Sequence, residues 1–416
     1  MISSENSAFT PARRKAERLA IASSCCGFTG EAVLTESAVG MLFAGMLGAG
    51  ETIKLMTTAV FPFLSGVLMI PMAVLAMRRG GRKMAVAATL AATAAYLLVT
   101  LTPWCGRFRV EILMGLMVIF SISLSSFVAG WFPVLDTFLL PERRTGFIGR
   151  MRFCHQGSAV IFLLFTGMVM GREPDILRLA VLIGIAGVIF AGRALFIALL
   201  PPFPEERPLG SDWREGLRIA CGNRRLLKSA LYLGALNLFS CGTTPLWLLF
   251  LQKSGCPENV LVYISSAALG GMMLGYFFSG KLLKQECAAK NLKYLHLALL
   301  LLGTVLLLLP LHGFWQFILS GVLLTMYNFC IAMVAVAATS MMMAVTTPGN
   351  KVMAMALFGA VGNTCMGLSR VAAALLVAGA AAGTVVAGMS LFRTALCGGL
   401  ILLTVLLFFR KAALRV

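Results

Sequence analysis

Charge is scarce in this sequence. Only 12% of its 416 residues are charged while 59% are hydrophobic, a balance that excludes a soluble globular chain and indicates a polytopic membrane protein. Acids are scarcer still, 16 against 35 Lys and Arg, for a net charge of +19. The histidines number three, His155, His296 and His312, and are scattered. The 11 cysteines fall mostly inside apolar runs without paired, metal-type spacing. Neither pattern supplies a metal cluster or a nucleophile with its base, so no cofactor, no metal and no enzymatic activity are expected. Only Cys105 and Cys256 fall in loops placed outside, and a disulfide is not expected. Apolar segments with period-two alternation are lacking, which excludes barrel strands. A small-residue cleavage site after a short apolar core is also lacking, so the first apolar segment is expected to be retained rather than removed as a signal peptide.

What the chain does have is long apolar runs. Twelve segments are long enough to span a bilayer, at about 19–48, 53–77, 84–103, 110–140, 146–171, 175–200, 227–252, 259–283, 293–311, 314–345, 351–380 and 384–409. In lipid the backbone must satisfy its own polar groups, which makes them helices and the fold all-α. With the N-terminus inside, 26 of the 35 basic residues lie in cytoplasmic stretches and 6 outside. The excess on one side predicts a multi-pass protein of the cell inner (cytoplasmic) membrane with both termini in the cytoplasm, and it explains the positive charge without nucleic acid.

One cytoplasmic connection, 201–226, is longer than the others. It opens with Pro201, Pro202, Pro204 and Pro208, then sets Asp212 three residues ahead of Glu215, a cap-like pair for a short helix. Trp213, Leu217, Ala220 and Cys221 would share one face of that helix and Arg214 and Arg218 another, as suits a helix on the inner membrane surface. The chain is thereby divided into an N-terminal tail (1–18), a first six-helix bundle (19–200), the linker (201–226), a second bundle (227–410) and a short tail (411–416). Shifting the first half by 207 residues superposes Pro103 and Gly106 on Pro310 and Gly313, Gly27 on Gly234, Gly48 on Gly255, and Pro141 on Pro348. Two halves of like orientation are how alternating-access transporters place a site at their interface.

The layout of six and six resembles the major facilitator superfamily over essentially the whole chain. VLAMRRGGRK (residues 74–83) is similar to that family's G-x-L-A-D-R-x-G-R-K loop. Arg79, Gly81, Arg82 and Lys83 match, whereas Val74 replaces the first Gly and Arg78 the acid. LPERRTGFIGR (residues 140–150) also resembles a loop of many bacterial members. The resemblance implies two pseudo-symmetric six-helix bundles, in which segments 1, 4, 7 and 10 line a central cavity, 2, 5, 8 and 11 flank it, and 3, 6, 9 and 12 face lipid.

Polar residues can be sorted on that map. Glu31 sits near the middle of the first segment with Glu36 just beyond it, beside Gly27 and Gly30, and intramembrane acids usually face a water path or a partner. Both are candidates for carrying a proton, since alternating exposure could load and release one. Candidate solute-binding groups are His155 and Gln156 on segment 5, Asn237 on segment 7, Tyr327 and Asn328 on segment 10, and Asn363 and Arg370 on segment 11. Arg79, Arg82, Lys83, Asp136, Arg143, Arg144 and Arg152 are expected in a cytoplasmic gate, and Arg193 and Arg393 are expected to pack or snorkel on the outer segments 6 and 12. The expected activity is secondary transport of a small polar organic solute such as a sugar or organic acid, coupled to protons or else sodium, by a monomer in the lipid bilayer. The rival readings are a multidrug/proton antiporter, against which the absence of proline within 146–171 counts, and a non-transporting membrane sensor.

Overall fold

The computed structural model describes residues 10–203, 213–282, 288–308, 314–346, 350–381 and 399–400; helices joined by short turns make up these residues, with no strand among them. The helices are α1 (Pro11–Glu31), a π-helical turn (Ala32–Glu36), α2 (Ala38–Met46), α3 (Glu51–Arg79), α4 (Gly81–Val99), α5 (Arg109–Phe138), α6 (Pro141–Met170), α7 (Ile176–Ala198), α8 (Trp213–Gly222), α9 (Arg224–Ser240), α10 (Thr243–Lys253), α11 (Glu258–Leu282), α12 (Ala288–Leu308), α13 (Phe314–Val345) and α14 (Lys351–Ala381). Among the described residues nine helical stretches are long and apolar enough to cross a membrane, and a shorter apolar helix runs through Tyr294–Leu308. With the interrupted first segment these account for eleven of the twelve expected spans. The twelfth, together with Arg393, falls outside the described residues apart from positions 399 and 400.

The first span departs from expectation in two ways. It starts at Pro11 rather than near residue 19, because Thr10 caps the helix and proline fits its first turn, so Arg13, Arg14, Lys15 and Arg18 lie on α1. It is then interrupted: after the π turn Ser37 is fully extended, at φ −122° and ψ 172°. The break frees backbone groups that must be paired in an apolar setting. Ser37 Oγ accepts from Val39 N, while Ala38 N donates to Ser265 Oγ on α11 at 3.0 Å, a partner from the other half of the chain. The seventh span is interrupted at the corresponding place, between α9 and α10 at Cys241 and Gly242. Gly48 and Gly255, paired by the 207-residue shift, end these spans in the same left-handed conformation, at φ 88° and 82°.

Helices α1, α4, α5, α6 and α7 pack on one another in the first half, and α9 with α13 and α14, and α11 with α13, in the second. The halves meet along α3 against α14 and α6 against α11. Exposed apolar side chains such as Leu90 on α4, Val181 and Val188 on α7 and Leu301 on α12 form the faces for lipid. Close approach of α3 and α14 depends on Gly66 and Gly367: a Cβ on Gly66 would overlap the Thr364 backbone, and one on Gly367 the Phe63 backbone. Gly367→Val should therefore push the two helices apart and cost about 1–3 kcal/mol by overpacking, read as a lower melting temperature of the purified protein. Cys105 and Cys256 are both free, and burial pushes the Cys256 thiol up to about 12, leaving it inert.

Candidate functional site

A cavity of about 550 Å³ lies between the two halves. Its wall reaches from Met41 and Ser37 at the middle of the first span to Asp136, Ile148, Met342 and Val352, at the end of the molecule that carries the basic connections. At the opposite end the halves are closed. Lys253 Nζ meets Glu51 Oε2 at 2.6 Å, Lys54 Nζ approaches Gln252 Oε1 at 3.5 Å, and Ser265 caps Ala38.

Two carboxylate–guanidinium pairs line this cavity, and they are made differently. The π turn is what presents both acids. In a continuous α-helix residues five apart point about 140° from one another, whereas i→i+5 bonding stacks them. Glu36 holds Arg370 of α14 in a fork, with Nη1 donating to Oε1 at 3.1 Å and Nη2 to Oε2 at 2.8 Å. Nη1 also reaches Thr58 O at 2.7 Å and Thr35 O at 3.4 Å, so Arg370 binds α3 and the π turn across the interface. Glu31 meets Arg193 of α7 by one contact, Nη2 to Oε2 at 3.4 Å. Arg193 is only 4% exposed, and its Nε and Nη1 have no hydrogen-bond partner. Its guanidinium lies over the rings of Phe127 and Phe190, at 4.3 and 4.9 Å. Gly27 admits it, since a Cβ there would fall inside the guanidinium.

Arg193 does not snorkel from an outer span: it packs inward, against α1 and the cavity. α7 does face lipid along one side, but the side bearing Ala186, Phe190 and Arg193 is packed against α1, with Gly30 set against Phe190. The ring of Phe190 packs with Tyr96 and Phe120, and Tyr96 OH donates to Gly30 O at 2.9 Å, fixing α1 beside Glu31.

The remaining expected site residues can be placed. His155 lines the cavity and stacks on Phe28 with centroids 4.4 Å apart. Gln156 lines it too, and its Oε1 has no partner. Asn237 donates to Gly362 O at 3.1 Å, Tyr327 to Ser240 O at 3.1 Å, and Asn328 to Thr244 Oγ1 at 3.3 Å, so these three brace the interrupted seventh span while touching the cavity. Asn363 donates to Ser65 Oγ across the interface at 3.2 Å.

Among the described contacts, the expected gate residues have these partners. Asp136 and Arg152 line the cavity, with Arg152 over the Tyr276 ring at 5.2 Å. Arg82 donates to Ala198 O at 2.8 Å, and Arg79 and Lys83 are exposed outside the cavity. Arg143 pairs with Glu17 at 3.6 Å, as does Arg150, while the Arg144 side chain lies outside what is described. Glu17 escapes the sequence reading because it lies in the stretch taken for a tail, although it is the one acid between Arg13 and Arg18. Among the described residues no group of His, Cys, Asp and Glu could hold a metal ion.

The profile of the Major Facilitator Superfamily matches residues 21–369. No curated protein matches the chain. Solved structures share the architecture at low identity. The nucleoside transporter NupG superposes with a TM-score of 0.66 at 13% identity, covering 98% of this chain and 100% of its own. FucP, a transporter of the same superfamily captured in the outward conformation, gives 0.68 at 12% identity over 98% and 100%. A bacterial homologue of the lysosomal transporter Spinster, inward-facing and occupied, gives 0.66 at 14% identity over 98% and 97%. With the matched residues covering most of its length, the chain belongs to the major facilitator superfamily and has that family's transporter fold of two pseudo-symmetric six-helix bundles.

Proposed function

We propose that this transporter moves a small polar organic solute across the cytoplasmic membrane by alternating access, as a proton-coupled symporter. The observation that carries the reading is the cavity between the bundles, which holds two buried carboxylate–guanidinium pairs and is closed at one end by inter-bundle contacts. The basic connections support a cytoplasmic orientation for the other end, and on that reading the conformation is inward-facing. Glu31 is the proton carrier, because its single contact to Arg193 can be given up, whereas Glu36 is tied across the bundles by Arg370.

Proteoliposomes with an imposed pH gradient test this with uridine, glucose and benzoate as solutes. Concentrative uptake of one of them is expected in the parent protein and lost in Glu31→Gln, with exchange retained. Accumulation that persists in the variant removes Glu31 from the coupling step, and accumulation driven by a sodium gradient alone replaces the proton.

A second reading, drug/proton antiport, is favoured by the side chains of the wall. Met69, Met272, Met355 and Met366, with Phe61 and Trp131, give an adaptable apolar lining of the kind promiscuous sites use. Proton-driven expulsion of ethidium, with no uptake of the three metabolite probes, would select it.

A further inference from the structure

The two buried pairs differ in what they leave unmet, and the difference identifies the solute class. Both Nη atoms of Arg370 are committed, to Glu36, Thr35 and Thr58, and only its Nε is without a partner. Arg193 has one contact, through Nη2, and two N–H-bearing nitrogens without partners. Its remaining neighbours are the faces of Phe127 and Phe190 and the backbone at Gly27, none of which supplies a counter-charge. A proton on Glu31 would leave a buried guanidinium with no anion, an arrangement that a protein interior does not sustain.

The charged groups lining the cavity are Glu31, Glu36 and Asp136 against Arg152, Arg193 and Arg370, in balance until Glu31 takes up a proton and one positive charge is in excess. We infer that the solute is an organic monoanion, a carboxylate with an apolar body, which binds Arg193 in place of the Glu31 carboxylate as Glu31 is protonated. This deepens the symport reading and rests on it. A planar carboxylate matches the guanidinium fork, and the rings of Phe127 and Phe28 offer its apolar body a surface. Binding of the anion and of the proton then favour each other by linkage, with no direct bond between them.

The groups facing Glu31 from every side fix what else could titrate with it. Arg193 from α7 and Glu36 from the first span act on it directly; His155 and Arg152 from α6, Asp136 from α5 and Arg370 from α14 line the same cavity, Tyr96 of α4 bonds Gly30 O beside it, and Cys26 lies by Arg193. Of these, Arg193 alone is within ion-pair distance of the Glu31 carboxylate among the described residues.

The experiment measures binding of benzoate and hexanoate, with benzamide and hexanamide as uncharged counterparts, to the purified full chain between about pH 6 and pH 8, where the free acids stay ionised. Carboxylate affinity is expected to rise as pH falls, by up to about tenfold per unit, with the amides weaker at every pH. Glu31→Gln, which stands in for the protonated acid, should bind benzoate tightly and independently of pH. Arg193→Lys should weaken it at least about tenfold, since the fork is lost while the charge is kept. The inference is overturned if neither carboxylate binds, if the amides bind as well, or if Glu31→Gln keeps the parent's pH dependence; the last comparison needs no Arg193 variant to fold. pH-linked carboxylate binding without concentrative uptake in vesicles would remove the symport reading and leave the site. Concentrative uptake of uridine or glucose without carboxylate binding would do the reverse.

Discussion

Arg370→Ala is expected to destabilise the protein by about 3–5 kcal/mol, because it leaves the Glu36 carboxylate in a largely buried position without its cation. The guanidinium is 8% exposed and makes four contacts, two to Glu36 and two to the carbonyls of Thr35 and Thr58. Those carbonyls would lose their donor with it, which adds to the cost. Glu36→Gln should be harmful for the mirror-image reason, stranding a buried guanidinium. Replacing both by leucine should recover much of the loss, since an apolar pair of similar volume has no charge to desolvate. Thermal melting of the parent, Glu36→Leu, Arg370→Leu and the double-leucine variant closes a double-mutant cycle. Losses that simply add would mean that the fork contributes nothing as a pair.

The second large effect comes from one methyl group. Gly27→Ala should abolish solute binding and concentrative uptake as completely as removing the Arg193 charge, although residue 27 has no polar side chain to lose. Its Cβ would fall inside the Arg193 guanidinium, so the side chain must leave. α1 cannot retreat to make room, because Gly30 is set against Phe190, Tyr96 holds Gly30 O, and Ser23 Oγ donates to Arg193 O at 3.3 Å. A displaced guanidinium loses its present contact to Glu31 and its seat over the aromatic rings. Uptake and benzoate binding are the readouts. A Gly27→Ala protein that transports normally would show that Arg193 need not stay where it lies.

Much of this site is legible from residue chemistry alone, and the rest shows where such reading stops. Glu31, Glu36, His155, Gln156 and Arg370 stand out because polar groups at membrane depth need partners, and all line one cavity. That Arg370 needs an anion can be read as well; that the anion is Glu36, 334 positions away, cannot. Arg193 is misplaced by the sequence because rank order along the chain puts its span on the outer ring, while its inward turn depends on a small residue 166 positions earlier, at Gly27. The interruption of the first span leaves no trace either. Neither Gly nor Pro occurs within 32–37, and the contacts of Ser37, Ser265 and Arg370 help to make the interruption tolerable. The 207-residue repeat does carry structural content at Gly48 and Gly255, since only a residue without a Cβ tolerates the conformation both adopt.

The hydrogen bond from Ala38 N to Ser265 Oγ has a consequence for how the protein responds to ionic strength. Mobile ions weaken charge pairs in water, and the exposed contact between Lys253 and Glu51 will fade as salt is added. The uncharged bond, buried on both sides, is beyond the reach of those ions. The closed end therefore keeps one contact that brine and fresh water leave alike, while its outer ion pair yields to salt.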